Sequence, residues 1–165
     1  MKATNRKQQT ERLRRNEEKW TPTLMEAGWT VIPSIILERQ RGLGLDAIDV
    51  NILMQLAMHW WFSDNPPRPS KRTIAERMGI DVSTVRKRIA RMEGDGLIRR
   101  EKRYSGKTGR QESNNYHFDG LIASATPYAQ EALETRKKRD AEDAERRTRR
   151  RAHLSLVTND EGDAE

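Results

Sequence analysis

The sequence predicts a mainly α fold with one small β-hairpin, centred on two short helices joined by a tight turn. Three observations predict it. Between Ser70 and Ile98 two amphipathic helical patterns flank a turn containing Gly79. A strand-loop-strand pattern, LIRREKRY, SGKTGRQES and NNYHF, follows directly. On either side lie charged stretches with little apolar content. Together they read as a helix-turn-helix with a β-hairpin wing, extended by charged helical N- and C-terminal segments.

Composition sets the limits. The 165 residues carry a net charge of +7, with 35% charged and 34% apolar residues. That is too polar for the whole chain to share one core, so a compact centre with charged ends is expected. The basic balance favours an anionic partner, nucleic acid first. The chain has no cysteine, which removes disulfides and thiolate chemistry. No apolar run approaches the ~18 residues of a membrane span, and the basic N-terminus has no apolar segment behind it. A cytoplasmic, nucleoid- or plasmid-associated protein is expected.

Residues 1–28 read as a charged arm. Thr10–Lys19 is a candidate helix with Glu11 placed to pair with Arg15, and a flexible basic arm along DNA phosphates is the other reading. Residues 29–122 read as the central domain. Trp29–Ile32 is β-branched and apolar, which predicts a short strand, with Pro33 as first residue of a helix to about Gln40. Gly42 and Gly44 break it. Asp46 then caps a helix from Ala47 to about Trp61, with Leu45, Ile48, Ile52, Leu53, Leu56 and Trp60 facing the core. Phe62–Pro69 is too proline-rich for helix.

Ser70 N-caps the next helix, and Ala75 is small enough for a close helix crossing. Gly79 supplies a turn with positive φ. Asp81 N-caps the second helix, which ends at Gly94 and Gly96, and Val85, Ile89 and Met92 form its apolar stripe. At about 100° per residue the opposite face holds Ser83, Thr84, Lys87, Ala90 and Arg91, with Arg86 on its flank. A recognition helix presents such a polar, basic face to the major groove; an ordinary hairpin with a solvated face would share the periodicity but not the Ala75, Gly79 and Val85 spacing. Lys107 and Arg110 sit at the hairpin tip beside Gly106 and Gly109, where they could follow the backbone or enter the minor groove. Residues 123–165 read as a second charged region. Thr126 and Pro127 have the pattern of an N-cap and first helical residue, starting a helix from Tyr128 to about Arg151. It carries Glu134/Lys138, Glu142/Arg146, Asp143/Arg147 and Glu145/Arg149 at i, i+4. Its Arg-rich end is either solvated or a phosphate- or partner-binding segment, and the acidic TNDEGDAE that follows is expected to be disordered.

The run PSKRTIAERMGIDVSTVRKRIARMEGDGLIRR resembles the winged-helix modules of GntR-like bacterial regulators. It is still more similar to the helix-turn-helix domains of plasmid- and phage-borne replication and regulatory proteins. LDAIDVNILMQLAMHW before it, the Pro-rich loop and SNNYHF extend the resemblance over about Trp29–Phe118. It implies DNA contacts at Ser70, Lys71 and Arg72 on the first helix, at Ser83, Thr84, Arg86, Lys87 and Arg91 on the second, and at Lys107 and Arg110 on the wing. Two departures stand out. Arg88 occupies a position that is commonly small or apolar, where its stem can pack while its head reaches water. The residues after the wing read as a charged helix rather than an effector-binding domain, so a full-size ligand-sensing regulator is not expected.

No catalytic residue, metal ligand set or cofactor site is expected. His59, His117 and His153 fall on separate elements without a second ligand at useful spacing. Ser105–Gly109 contains Gly-Lys-Thr but lacks the first glycine and the following helix of a phosphate loop. The expected partner is therefore double-stranded DNA, with no membrane. Trp29–Gln40 and Tyr128–Leu133 are candidate homodimer elements, and host replication or transcription proteins are candidate partners. Three functions follow: a transcriptional regulator of a mobile element, a replication initiator or accessory protein binding origin repeats, or a protein- or RNA-interaction module that docks through the winged helix.

Overall fold

The computed structural model describes residues 14–152. The readings for residues 1–13, including the Glu11–Arg15 pair, and for the acidic tail lie outside them. Residues 14–20 are helical (α1), followed by α2 (Pro22–Glu26), α3 (Ser34–Glu38), α4 (Ala47–Ala57), α5 (Lys71–Met78), α6 (Val82–Gly94), β1 (Arg99–Glu101), β2 (Asn115–His117) and α7 (Asp119–Ala152). The chain divides into two compact units between Ala125 and Thr126.

In the first unit α5 and α6 cross closely, and α4 packs on both. Ile74 and Ala75 of α5 are buried against Val85, Ile89 and Met92 of α6, and Ile52, Leu53 and Leu56 of α4 complete the layer. β1 and β2 pair antiparallel with Arg100 opposite Tyr116. Tyr116 is the largest fully buried side chain among the described residues, and Leu97, Ile98 and Phe118 seal the wing base. The outer edge of β2 meets the Pro-rich loop: the Tyr116 amide donates to the Pro67 carbonyl at 2.9 Å. The arrangement is mainly helical with one small hairpin, a winged helix-turn-helix.

Local chemistry explains the boundaries. The Ser70 hydroxyl accepts from the Thr73 amide at 3.0 Å, and Asp81 Oδ1 accepts from the Ser83 amide at 2.6 Å. These are side-chain N-caps satisfying otherwise orphaned donors. Gly79 closes α5 at φ 65°, a left-handed conformation that only glycine adopts without strain.

Five expectations are corrected. Trp29–Ile32 forms no strand: no neighbouring strand takes up its backbone groups, and a lone strand cannot satisfy them. Pro33 is the N-cap of α3 rather than its first residue, and the helix stops at Glu38. The helix after Asp46 ends at Ala57, where His59 and Trp60 donate to carbonyls three residues back and tighten the chain into turns. Trp60, placed in the core by periodicity, is 36% exposed and stacks on Phe118 with ring centroids 5.1 Å apart. Last, α7 begins at Asp119, with Pro127 inside it. Its start is anchored by Leu121 and Ala125, both buried one turn apart, and by the Leu121 amide donating to the Leu97 carbonyl at 2.7 Å. That tertiary anchorage outweighs the local signal at Thr126–Pro127. In the second unit Glu145 and Arg149 pair at 3.8 Å, one of the four expected spacings. No helix among the described residues is long and apolar enough to cross a membrane.

Candidate nucleic-acid interface

The α6 helix has four distinct sides, and each follows from its residues. Val85, Ile89 and Met92 are fully buried and fix its roll on the core. The opposite side exposes Ser83, Arg86, Lys87 and Ala90, with Thr84 half-buried at the margin. These are the expected recognition residues, and the structure brings them to one surface. That surface offers hydroxyls, two cations and a methyl group, the donors and apolar contacts that base edges and thymine methyls accept.

Arg91 does not join that surface. Its guanidinium forms an ion pair with Asp49 and donates to the Gly44 carbonyl at 3.2 Å. Arg88, whose head was expected to reach water, pairs instead with Asp46 and lies 3.7 Å from Asp49. Both arginines therefore point to the N-terminus of α4. Asp46 and Asp49 form a reciprocal cap there: the Asp46 amide donates to Asp49 Oδ2 at 2.9 Å, and the Asp49 amide to Asp46 Oδ1 at 3.1 Å. Asp49 is completely buried. Burial raises its pKa; in Asp46 the same tendency is overcome by hydrogen bonds from Asp49 and Arg88, which lower it. Sequence periodicity missed Asp49 because it scores only apolar positions. The signal available was Asp at the third position after an Asp cap.

On the other flank Glu93 receives the Arg100 amide at 3.2 Å and its Nε at 2.7 Å, tying the end of α6 to the wing. The Arg100 hydrogen bonds hold the Glu93 carboxyl below its ordinary value of 4.5. A carboxyl lowered on folding stabilises fully above its unfolded value and less as pH falls through the folded one. Glu93→Gln should therefore lower the melting temperature at neutral pH, and the gap from the parent chain should close as pH drops below 4.5, as read by thermal melts across that range.

Lys71 lies half-buried at the start of α5, and its pKa is lowered by burial and then by Arg100 and Arg86. Sequence reasoning did not place it in a cleft of about 250 Å³ lined by Ser70 and by Gln111, Ser113 and Asn114 of the second wing arm. Arg72 is exposed on α5. Lys107 and Arg110 are exposed at the wing tip, where the Ser105 amide donates to the Arg110 carbonyl at 2.8 Å and Gly109 takes φ 64°. Arg103 is held by Glu112 at 2.8 Å beneath the tip. Among the described residues no group of three or more His, Asp or Glu is placed to hold a metal.

Comparison with known proteins is consistent with this geometry. Residues 65–99 match the sequence profile of the family described as winged helix-turn-helix DNA-binding. Among solved structures, the N-terminal domain of the DnaD protein from Geobacillus kaustophilus HTA426 superposes with a TM-score of 0.50 at 15% identity, covering 73% of this chain and 96% of that one. YusO from Bacillus subtilis follows with a TM-score of 0.38, 19% identity, and 88% and 98% coverage. MarR has a TM-score of 0.37, 20% identity, and 73% and 85% coverage. None of the curated proteins compared with the chain matches it. The profile match falls on α5, the turn and α6, and the structure supplies the wing, so the chain carries a winged helix-turn-helix DNA-binding domain.

Proposed function

We propose that the chain is a sequence-specific double-stranded DNA-binding protein that regulates transcription of a mobile element. The observation that carries the binding mode is the outward side of α6. Ser83, Arg86, Lys87 and Ala90 share it while the apolar stripe of the same helix is fully buried. In this reading Arg86 and Lys87 read guanine edges, Ala90 packs on a thymine methyl, and Ser83 and Thr84 set register on phosphates with Ser70, Lys71 and Arg72. Arg91 takes no part in DNA contact because its guanidinium is engaged at α4.

The wing adds affinity without sequence information. Lys107→Ala and Arg110→Ala should weaken binding to all duplexes alike and flatten the dependence of log K on log salt by about 0.9 for each phosphate left without its cation. Fluorescence anisotropy on one specific and one random duplex at several salt concentrations reads both quantities.

The role is tested by enriching fragments of the source genome and its plasmids on the full chain and sequencing them. One or two repeats over a promoter support the regulator. An array of repeats beside an AT-rich tract replaces it with a replication protein. No enrichment, with affinity lost steeply in salt, removes sequence-specific binding altogether.

A further inference from the structure

The α6 helix carries four cations close together, Arg86, Lys87, Arg88 and Arg91. Only the first two belong to its outward side. Arg88 and Arg91 project from one flank, and both guanidiniums end on the carboxylates of Asp46 and Asp49. Those acids lie 42 residues earlier in the chain, so the pairing belongs to the tertiary fold, not to the helix. The two partners differ in setting. Asp46 is about half exposed at the helix cap, whereas Asp49 has no exposed side chain and one oxygen, Oδ1, without a hydrogen-bond partner. A buried carboxylate held in this way is costly to build and poorly explained as a source of stability. Arg91 remains 41% exposed, so released from Asp49 it could swing toward solvent.

Unpaired, these two arginines would add positive charge beside a DNA-facing surface. Such charge engages every phosphate backbone alike, so it raises the affinity for random sequence, which competes in large excess with any specific site. We infer that Asp46 and Asp49 restrain non-specific binding: they hold Arg88 and Arg91 off the DNA and thereby keep the affinity of α6 for random sequence low. The inference rests on the DNA-binding reading of α6. The acids touch no DNA themselves; they act by positioning two arginines. The same logic operates on the opposite flank, where Glu93 holds Arg100.

The test is the salt dependence of binding to a random-sequence duplex by the full chain and its Asp46→Asn and Asp49→Asn variants, each checked for folding by circular dichroism. Binding to random duplex should tighten in both variants. The slope of log K against log salt should steepen by up to about 0.9 for each arginine that gains a phosphate. Adding Arg91→Gln to Asp49→Asn, or Arg88→Gln to Asp46→Asn, should return the slope to that of the parent chain. A merely structural role for the acids would weaken binding and leave the slope unchanged or shallower, which overturns the inference. It is also overturned if Arg91→Gln alone flattens the slope, since Arg91 would then already touch phosphate. Should Asp49→Asn fail to fold, Asp46→Asn at its half-exposed cap decides the matter with Arg88. Failure of the parent reading looks different: the unaltered chain would then show no preference for any enriched sequence and no measurable affinity for random duplex.

Discussion

Gly120→Ala should destabilise the first unit by about 3 kcal/mol, the upper part of the range for forcing an extra methyl into a filled site. A Cβ built at Gly120 would lie 1.7 Å from the Gly96 carbonyl oxygen and 2.9 Å from its carbon. Both are backbone atoms, so no side-chain rotation relieves the clash. The surrounding structure resists movement as well. Leu121 is buried and its amide donates to the Leu97 carbonyl, and Gly96 itself sits at φ 72° in the turn that ends α6. To admit the methyl, the start of α7 must lift away from residues 96–97 and break that hydrogen bond. The measurement is a urea melt of the variant against the parent chain. Gly106→Ala at the wing tip, where a Cβ meets nothing within 4 Å, is the control and should change stability by less than about 0.5 kcal/mol. Equal midpoints for the two variants would show that the junction between α6 and α7 has slack that its geometry denies.

Arg86→Ala combined with Lys87→Ala should remove about 2–6 kcal/mol of the discrimination between the enriched site and random DNA. Each bidentate base contact discriminates by about 1–3 kcal/mol, so removing two takes away a large share of a specific advantage that is typically about 4–10 kcal/mol. The expectation is specific to these positions because both side chains are exposed on the side of α6 opposite its buried stripe. Neither supports the core, so the fold should survive, and circular dichroism should be unchanged. Competition binding with specific and random duplexes gives the ratio directly. If the ratio stays intact in the double variant, α6 is not the reading helix and the wing or α5 must take that role.

The helix-turn-helix was legible because its signals are local. Ser70, Gly79 and Asp81 act through hydrogen bonds and dihedrals within three residues of themselves, and Val85, Ile89 and Met92 repeat at the helical period. The fates of Arg88 and Arg91 were not legible. From α6 alone both could face water, since nothing within the helix identifies carboxylates 42 positions away. Asp49 was hidden for a related reason: an acid in an apolar helix reads as surface until its partners are known. Thr126–Pro127 shows the opposite failure, a strong local helix-start pattern overridden by the packing of Leu121 and Ala125 just before it. The short run at Trp29–Ile32 had strand-forming residues but no neighbour to pair with, and propensity alone does not supply one.

The meeting of β2 with the Pro-rich loop bears on how the protein behaves in concentrated solution. A two-stranded ribbon leaves an open rim that a stray extended chain could adopt as its own, the route by which folded proteins polymerise or exchange segments. Here that rim is occupied at Tyr116 by the carbonyl of Pro67, which is itself buried. The occupying stretch contains prolines at 66, 67 and 69, which lack amide hydrogens and cannot donate to a further chain. The loop thus ends the ladder without offering a new edge, and the ribbon is protected from growth on that side by a segment that cannot itself become a strand.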